Sequence, residues 1–336
     1  MKRNLISFMF LCCTLVSAAG TTRNGIAPDH RTPLSAKMLT LTAKTPWRAA
    51  DSVKLRFNAH HTQGLVKIGD YYYLSAVEVV RWPHNPGGNE SGSERDRGEG
   101  KGHIFKFDSE GRLLADLPIG REHAYHPGGM DYDGSYLWVP VTEYLPHSYS
   151  IIYKIDPLTM TATEVFDYDD SIGAIVCNTD DHTLVGMNWD ARDFYHWTLD
   201  GQGCVTNADV APKELAVENP SFYVAFQDGQ YLGDHLMLGS GLQGFRTPAG
   251  DLRLGGWEIF DLRDNRPVRQ IPVRIWLPSG GVMTNNPCAV ESTPTGLRAY
   301  FVPEDDEKAT LYIYDIEVGP SDKTDKTGKA AKAIAR

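Results

Sequence analysis

Apolar and polar positions recur in the same order five times along the chain. Each repeat begins with a short polar segment, continues through an apolar strand and a turn, and returns as a second apolar strand with a polar end. The repeats begin at His61, His126, Ser171, Asn219 and Asn286, and their second strands end at Glu78, Glu143, Asn188, Ser240 and Glu304. Repeats of this length, built from short strands, are typical of β-propeller blades. The sequence therefore predicts an all-β protein, a single five-bladed β-propeller, with six blades as the alternative.

The last repeat lacks a fourth strand, because the chain turns to Gly-Pro-Ser-Asp-Lys after Val318. A spare strand with alternating apolar residues, Val53–Phe57, precedes the first repeat. An N-terminal strand that completes the last blade joins that blade to the first and covers a sheet edge. We therefore predict that this strand closes the ring.

Two repeats are longer than the others because of insertions between their second and third strands. The first insertion, residues 83–101, is rich in Gly, Ser and charged residues, which predicts a mobile segment. Its place after a second strand puts it beside one mouth of the central channel. The second insertion spans residues 241–255.

In the fourth repeat the motif Gln227-Asp-Gly predicts the turn of the first hairpin.

The N-terminus has the three parts of a secretory signal peptide: Lys2 and Arg3, an apolar stretch over residues 5–16, and the small residues Ser-Ala-Ala at 17–19. The apolar stretch is short for a membrane span. We therefore expect a signal peptide over 1–19, a leader over 20–50, the propeller over 51–318 and a disordered tail over 319–336. The protein is expected to be exported, to the periplasm or the extracellular space. Its mature form would retain three cysteines and so at most one disulfide, among Cys177, Cys204 and Cys288.

The chain of 336 residues has a formal net charge of −10, and both of its termini are basic, so the body between them is more acidic still. This charge argues against nucleic acid and against an anionic membrane surface as partners. A small polar ligand is the expected partner, and the sequence leaves the oligomeric state open.

Antiparallel pairing places the start of each first strand beside the end of the second strand, at one face of the propeller. The polar starts and ends should therefore converge at one mouth of the central channel. His60 and His61 point to opposite sides of an extended segment, and His61 is the one aligned with the channel. The candidate catalytic residues are His61, His126 and Glu143; the candidate metal ligands are Glu78, Glu143, Glu304 and Asn286; and the candidate binding residues are Gln63, Asp131, Asn188 and Asn219.

Carboxylates gathered near one axis repel each other, and a bound divalent cation would compensate this repulsion. Oxygen ligands favour Ca²⁺ or Mg²⁺, whereas added imidazoles favour Zn²⁺ or Mn²⁺. In the alternative interpretation these carboxylates cap loops or pair with Arg81 or Arg121. The functional hypothesis is a metal-assisted hydrolase or lyase that acts on a small polar or sugar-like substrate, and the alternative is a propeller that binds a ligand or partner without turnover.

Four segments, residues 60–66, 125–131, 138–143 and 155–157, resemble an uncharacterised family of exported bacterial propeller proteins. This resemblance implies the fold but no activity. The short segment 62–65 is also similar to the opening of plant-type glutaminyl cyclases, which are five-bladed propellers. In architecture the chain resembles the gluconolactonase-like propellers, whose axial metal site uses Glu and Asn and which normally have six blades.

Overall fold

The protein is described by a computed structural model that covers residues 33–84 and 95–318. The described chain enters through a short helix and the first strand, α1 (Leu34–Leu39) and β1 (Trp47–Lys54). The first blade consists of β2 (His61–Ile68), β3 (Tyr71–Arg81), β4 (Glu99–Asp108) and β5 (Leu113–Ile119). The second blade consists of β6 (Ala124–Pro127), β7 (Asp131–Tyr132), β8 (Leu137–Glu143), β9 (Ser150–Asp156) and β10 (Thr161–Tyr168).

The third blade contains β11 (Ile172–Asn178), β12 (Thr183–Asn188), β13 (Asp193–Thr198), the short helix α2 (Pro212–Leu215) and β14 (Ala216–Glu218). The fourth contains β15 (Ala225–Gly233), β16 (Leu236–Thr247), β17 (Gly250–Asp261) and β18 (Arg266–Val273). A 3₁₀ turn, Met283–Asn285, leads to the fifth blade: β19 (Cys288–Thr293), β20 (Gly296–Phe301), a second 3₁₀ turn Asp306–Lys308, and β21 (Thr310–Glu317). The predicted five-bladed, all-β propeller is confirmed.

The ring closes as predicted, because β1 pairs antiparallel with β21 as the outer strand of the last blade. The predicted position of this strand, Val53–Phe57, was wrong: the strand is Trp47–Lys54. A β-bulge between Ala49 and Asp51 shifts the alternation of inward and outward side chains by one residue. The first half of the strand therefore does not show the same apolar–polar alternation in the sequence. Phe57 lies beyond the strand, and its ring packs on that of Phe105 at 5.1 Å.

The part of the predicted leader that the structure describes, residues 33–50, is folded. Met38 and Leu41 are buried in a core cluster shared by the fourth and fifth blades, beside Trp257. Trp47 packs on the same Trp257 ring at 4.8 Å. The predicted signal peptide, the predicted tail and residues 85–94 of the first insertion lie outside the described residues.

The fourth blade differs from its prediction in two places. Gln227, Asp228 and Gly229 lie inside β15 and form no turn; the hairpin turns instead at Asp234 and His235, both in the left-handed region with φ of 56° and 58°. Asp228 stays in the strand because its side chain points inward and accepts hydrogen bonds from other blades. The second insertion extends β16 and β17 as a paired hairpin.

The inner strands pack closely around the axis. A Cβ on Gly64 of β2 would lie 2.8 Å from the backbone nitrogen of Met130 and 2.9 Å from Cα of Gly129. Glycine is therefore required where the first and second blades meet. Within the described residues, no helix is long and apolar enough to cross a membrane.

Candidate functional site

Two of the predicted histidines meet at one mouth of the channel. His61 begins β2 and His126 lies in β6, and their ring centroids are 6.0 Å apart. They line a cavity of about 130 Å³, here called the axial pocket, together with Gln63, Thr142, Tyr144, Gly173, Trp189, Phe226 and Gln227. This volume is close to that of a cavity, roughly 150 Å³, known to hold a benzene molecule. The axial pocket therefore has room for one ring-sized group.

An aspartate holds His61 in place. The Nδ1 atom of His61 donates to Oδ2 of Asp305 over 2.9 Å. The other oxygen, Oδ1, accepts the backbone N–H of Thr62 at 3.2 Å and the side-chain amide of Asn286 at 3.1 Å. With the proton on Nδ1, Nε2 is the basic nitrogen of this ring. Asn286, a predicted metal ligand, thus serves to position Asp305.

His126 is a neutral, buried imidazole. It is 6% exposed. Burial, with a contribution from His61, lowers its pKa from 6.5 to about 3. Its Nε2 atom is buried and has no hydrogen-bond partner among residues 33–84 and 95–318. A buried polar atom without a partner costs about 1–3 kcal/mol, so a ligand or water in the axial pocket that satisfied Nε2 would recover this energy.

Aromatic side chains form the remaining wall of the axial pocket. The ring of Tyr144 packs 4.2 Å from His126 and 5.5 Å from Trp189. The guanidinium of Arg95 lies over both rings, 4.5 Å from the centroid of Tyr144 and 5.5 Å from that of Trp189. The ring of Trp82, which is 60% exposed, lies with its centroid 6.0 Å from that of His61.

Sequence reasoning missed these aromatic residues and Asp305, although a signal was present. Tyr144 and Trp189 each come directly after a residue identified as the polar end of a second strand. Asp305 likewise comes directly after the predicted end Glu304. Extending each predicted second strand by one residue would have identified all three.

The predicted carboxylate ligands do not come together. Glu143 is buried and pairs with Arg97 at 2.9 Å, Glu78 pairs with Lys101 at 2.9 Å, and Glu304 accepts from the Tyr312 hydroxyl at 3.1 Å. Glu78 is thus paired within the first blade, Glu143 is paired across to the first-blade insertion, and Glu304 is hydrogen-bonded within the fifth blade. This agrees with the alternative interpretation, although the partners are not Arg81 or Arg121.

Two predicted binding residues, Asn188 and Asn219, stabilise loops. The Asn188 side chain accepts the N–H of Arg192 at 2.8 Å and donates to Asp193 at 3.0 Å. The Asn219 side chain donates to the carbonyl of Ala191 at 2.7 Å and accepts the N–H of Ser221 at 2.8 Å. Neither lines the axial pocket.

Asp131, also a predicted binding residue, joins three blades inside the channel. Its Oδ2 accepts the backbone N–H of Cys177 in the third blade at 3.0 Å and that of Tyr231 in the fourth at 2.9 Å. Its Oδ1 accepts the N–H of Tyr132 at 2.9 Å. Burial raises the pKa of Asp131 to about 7 against the lowering effect of these three donors.

Asp228 of the fourth blade is the counterpart of Asp131 of the second blade. Its carboxylate accepts the N–H of Leu65 in the first blade at 3.0 Å and that of Cys288 in the fifth at 3.2 Å. Burial raises its pKa well above the usual range. The two aspartates together connect all five inner strands, so their role in this structure is to hold the ring.

A second polar cluster lies on the other side of β2. His60 does not line the axial pocket, and its ring stacks on that of His103 at 5.2 Å; its backbone is left-handed, with a φ of +53°, and not extended as predicted. The possible ligand atoms of His60, Glu78 and His103 all lie within 4.8 Å of one another. Among the described residues no other group of three histidine, cysteine or carboxylate side chains is as close. Of the predicted metal ligands, only Glu78 belongs to this cluster.

These observations define the protein as a five-bladed β-propeller with a histidine pocket at one mouth of its axis. The chain belongs to DUF6454, a family of unknown function, which it matches over residues 30–320. No curated protein matches it in sequence.

Several solved structures are similar in fold. The luciferin-regenerating enzyme aligns with 8% identity and a TM-score of 0.43, over 80% of this chain and 95% of that chain. The WD40 domain of Toxoplasma gondii coronin aligns with 10% identity and a TM-score of 0.38, over 84% and 89%. Kuenenia stuttgartiensis hydrazine synthase aligns with 12% identity and a TM-score of 0.37, and the match spans 74% of this chain but only 57% of that one. These similarities concern the fold alone.

Proposed function

We propose that the protein is an exported hydrolase or lyase that acts on a small polar or sugar-like substrate in the axial pocket, with His61 as the general base. One observation carries the proposal. A carboxylate-oriented imidazole, His61 on Asp305, shares a small cavity with a second, neutral imidazole, His126.

The hydrogen bond from His61 to Asp305 makes His61 suited to act as a general base. Asp305 holds the proton on Nδ1 of His61, so Nε2 of His61 can accept a proton from a substrate or from an attacking water. Asp305 also stabilises the imidazolium that forms after this transfer. A positioned base of this kind contributes about 10²–10⁴-fold to the rate.

Arg95 and His126 complement the base. The Arg95 guanidinium carries a positive charge beside the wall residues Tyr144 and Trp189 and would stabilise negative charge that develops on a substrate oxygen. His126 stays neutral because its pKa is near 3, so its unpartnered Nε2 accepts a hydrogen bond from a substrate hydroxyl. Tyr144 and Trp189 add apolar surface to the pocket wall, which suits the apolar side of a sugar-like ring.

A second candidate function is binding without turnover. The observation that favours it is the stacking of Arg95 on Tyr144 and Trp189, which makes a preformed, positively charged surface for a planar or anionic group. In this case His61 and His126 would only donate and accept hydrogen bonds.

The test is a turnover screen with lactones, glycosides, nitrophenyl esters and β-hydroxy acids, on the wild type and three variants. His61→Ala should lower the rate by at least about 10²-fold and Asp305→Asn by a smaller factor. The matched control is His235→Ala, since His235 also pairs through Nδ1 with an aspartate, Asp181, at 2.8 Å but lies outside the axial pocket. The control should keep the wild-type rate.

Two outcomes would contradict the proposed reaction. Turnover that survives His61→Ala would show that another group is the base. Binding of the same compounds, seen as a change in tryptophan fluorescence that His126→Ala abolishes but without conversion, would establish the binding function instead.

A further inference from the structure

We propose that His60, Glu78 and His103 form a binding site for a divalent transition metal of the Zn²⁺ type. This site lies outside the axial pocket, and the proposal does not depend on the reaction proposed above. It rests on the position of three ligand atoms, on a second carboxylate behind one of them, and on a buried nitrogen that has no hydrogen-bond partner within residues 33–84 and 95–318.

His103 has the features of a metal-binding imidazole. Its Nδ1 atom donates to Oδ1 of Asp116 over 2.9 Å, which leaves the lone pair of Nε2 free. The residue is 9% exposed, and Nε2 is buried with no hydrogen-bond partner within the described part of the chain. A carboxylate that orients a histidine from behind is the usual arrangement at metal sites. A cation at Nε2 would satisfy this atom.

The backbone places His60 next to His103. His60 has a φ of +53°, in the left-handed region that non-glycine residues seldom adopt. Two hydrogen bonds maintain this conformation: its N–H donates to the Asn58 side chain at 2.9 Å, and its carbonyl accepts the N–H of Asp306 at 2.8 Å. Strained residues of this kind concentrate at functional sites. Here the strain turns two adjacent histidines toward different sites.

Glu78 supplies the negative charge. Its Oε2 atom lies 3.9 Å from Nε2 of His103 and accepts a hydrogen bond from Lys101. Lys101 is well exposed, so its ammonium group can move into solvent when a cation binds, or it can stay on Oε2 while Oε1 becomes the ligand. In either case the dication gains a carboxylate that already faces both imidazoles.

The donor set selects the class of metal. Two imidazole nitrogens and one carboxylate oxygen suit Zn²⁺, Co²⁺ or Ni²⁺, whereas Ca²⁺ and Mg²⁺ prefer all-oxygen sites. Three protein ligands leave one position for water or for an outside ligand, unlike the closed four-ligand structural zinc sites.

The experiment uses untagged, chelator-treated mature protein titrated with ZnCl₂ by calorimetry and with CoCl₂ by visible absorption. We expect one Zn²⁺ per chain, competition by Co²⁺ with intense d–d bands, and no competition by Mg²⁺. His60→Ala and His103→Ala should each weaken Zn²⁺ binding by at least about 10²-fold. Asp116→Asn should weaken it by roughly 10–100-fold, the usual effect of a lost second carboxylate.

Two controls separate this site from other histidines. His126→Ala, in the axial pocket, and His235→Ala, beside Asp181, should bind Zn²⁺ like the wild type. Circular dichroism identifies any variant that does not fold; if His103→Ala fails to fold, His60→Ala and Glu78→Gln test the same site from partly exposed positions. A wild type that binds less than about half an equivalent of Zn²⁺ at 100 μM, or binding that survives in folded His60→Ala and Glu78→Gln, overturns the proposal.

Discussion

Replacing Asp131 with asparagine should remove a large part of the pH dependence of stability. Asp131 is buried in the channel and accepts three backbone N–H groups. Its pKa is raised from 3.8 to about 7, mainly by burial. The native state therefore keeps a proton on Asp131 in a pH range where the unfolded chain has lost it. Stability falls with rising pH wherever the native state binds more protons than the unfolded state.

The sign and the size of this pH dependence follow from the difference between the pKa values of Asp131 in the unfolded and folded states. Below pH 4 the carboxyl is protonated in both states, and its contribution is fully present. Between about pH 4 and pH 7 the unfolded chain is ionised while the folded chain is not, so the free energy of unfolding falls by about 1.4 kcal/mol per pH unit. Over the whole interval the loss is about 4 kcal/mol. Above pH 7 both states are ionised and the slope ends.

The assay is urea unfolding of the wild type and Asp131→Asn, followed by tryptophan fluorescence from pH 4 to pH 8. The difference between the two proteins isolates Asp131, because other titrating groups contribute to both. Asparagine has one oxygen where aspartate has two, so at least one backbone N–H loses its acceptor at a cost of about 1–3 kcal/mol. The wild type should thus be the more stable protein at pH 4. Its advantage should shrink and then reverse by pH 8.

A difference that stays constant across this pH range would refute the reasoning. It would mean that the three N–H donors keep Asp131 ionised in the folded protein despite its burial. Asp228→Asn is the matched comparison, since burial raises the pKa of Asp228 as well. It should give a pH dependence of the same sign.

Two further predictions concern ring closure and the cysteines. Trp47→Ala should lower the free energy of unfolding by about 2–3 kcal/mol, less than for a fully buried tryptophan, because it removes the contact with Trp257 at 4.8 Å; urea unfolding measures this. Of the three cysteines that the structure describes, a thiol reagent should modify exposed Cys204 in the native protein and spare Cys177 and Cys288, whose burial raises their pKa and suppresses the thiolate. After denaturation the same reagent should count three thiols if the signal peptide is cleaved, and all five cysteines if it is retained.

Each of these has a control. Trp276→Ala, at a position 45% exposed, should change stability by less than about 0.5 kcal/mol. An equal loss in both tryptophan variants would contradict the closing role of β1. Cys204→Ser should leave neither of the other two described cysteines reactive in the native protein, and labelling of Cys177 or Cys288 would show that their thiols are accessible.

Local features of the sequence were enough to predict the fold. The apolar run of β2 and the turn at Gly69, which has a φ of +58°, depend only on residues close in the chain. The same holds for most hairpins, so the number of blades and the closing partner of β21 could be inferred from repetition. The convergence of His61 and His126 could be inferred as well, because antiparallel pairing brings equivalent repeat positions to one mouth.

The tertiary structure decided which polar residues act together. Glu78, Glu143 and Glu304 occupy equivalent repeat positions, yet each has a different partner: Lys101 for Glu78, Arg97 from the neighbouring blade for Glu143, and the Tyr312 hydroxyl for Glu304. Repetition locates a residue to within a blade, whereas an ion pair or a metal site depends on side-chain positions within a few ångströms. No local pattern in the sequence indicates which charged side chains come within a few ångströms of one another.

Asp228 and His60 show most clearly that local sequence does not predict which distant residues a side chain contacts. Asp228 stands in a Gln-Asp-Gly motif that is typical of a turn, but donors from the first and fifth blades, far away in the chain, keep it inside a strand. His60 is the neighbour of a predicted site residue, yet a left-handed backbone and the ring of His103 assign it to a different cluster. The sequence by itself determined the blades and the mouth; contacts between distant blades determined which side chains form the axial pocket, the ring-holding carboxylates and the His60, Glu78 and His103 cluster.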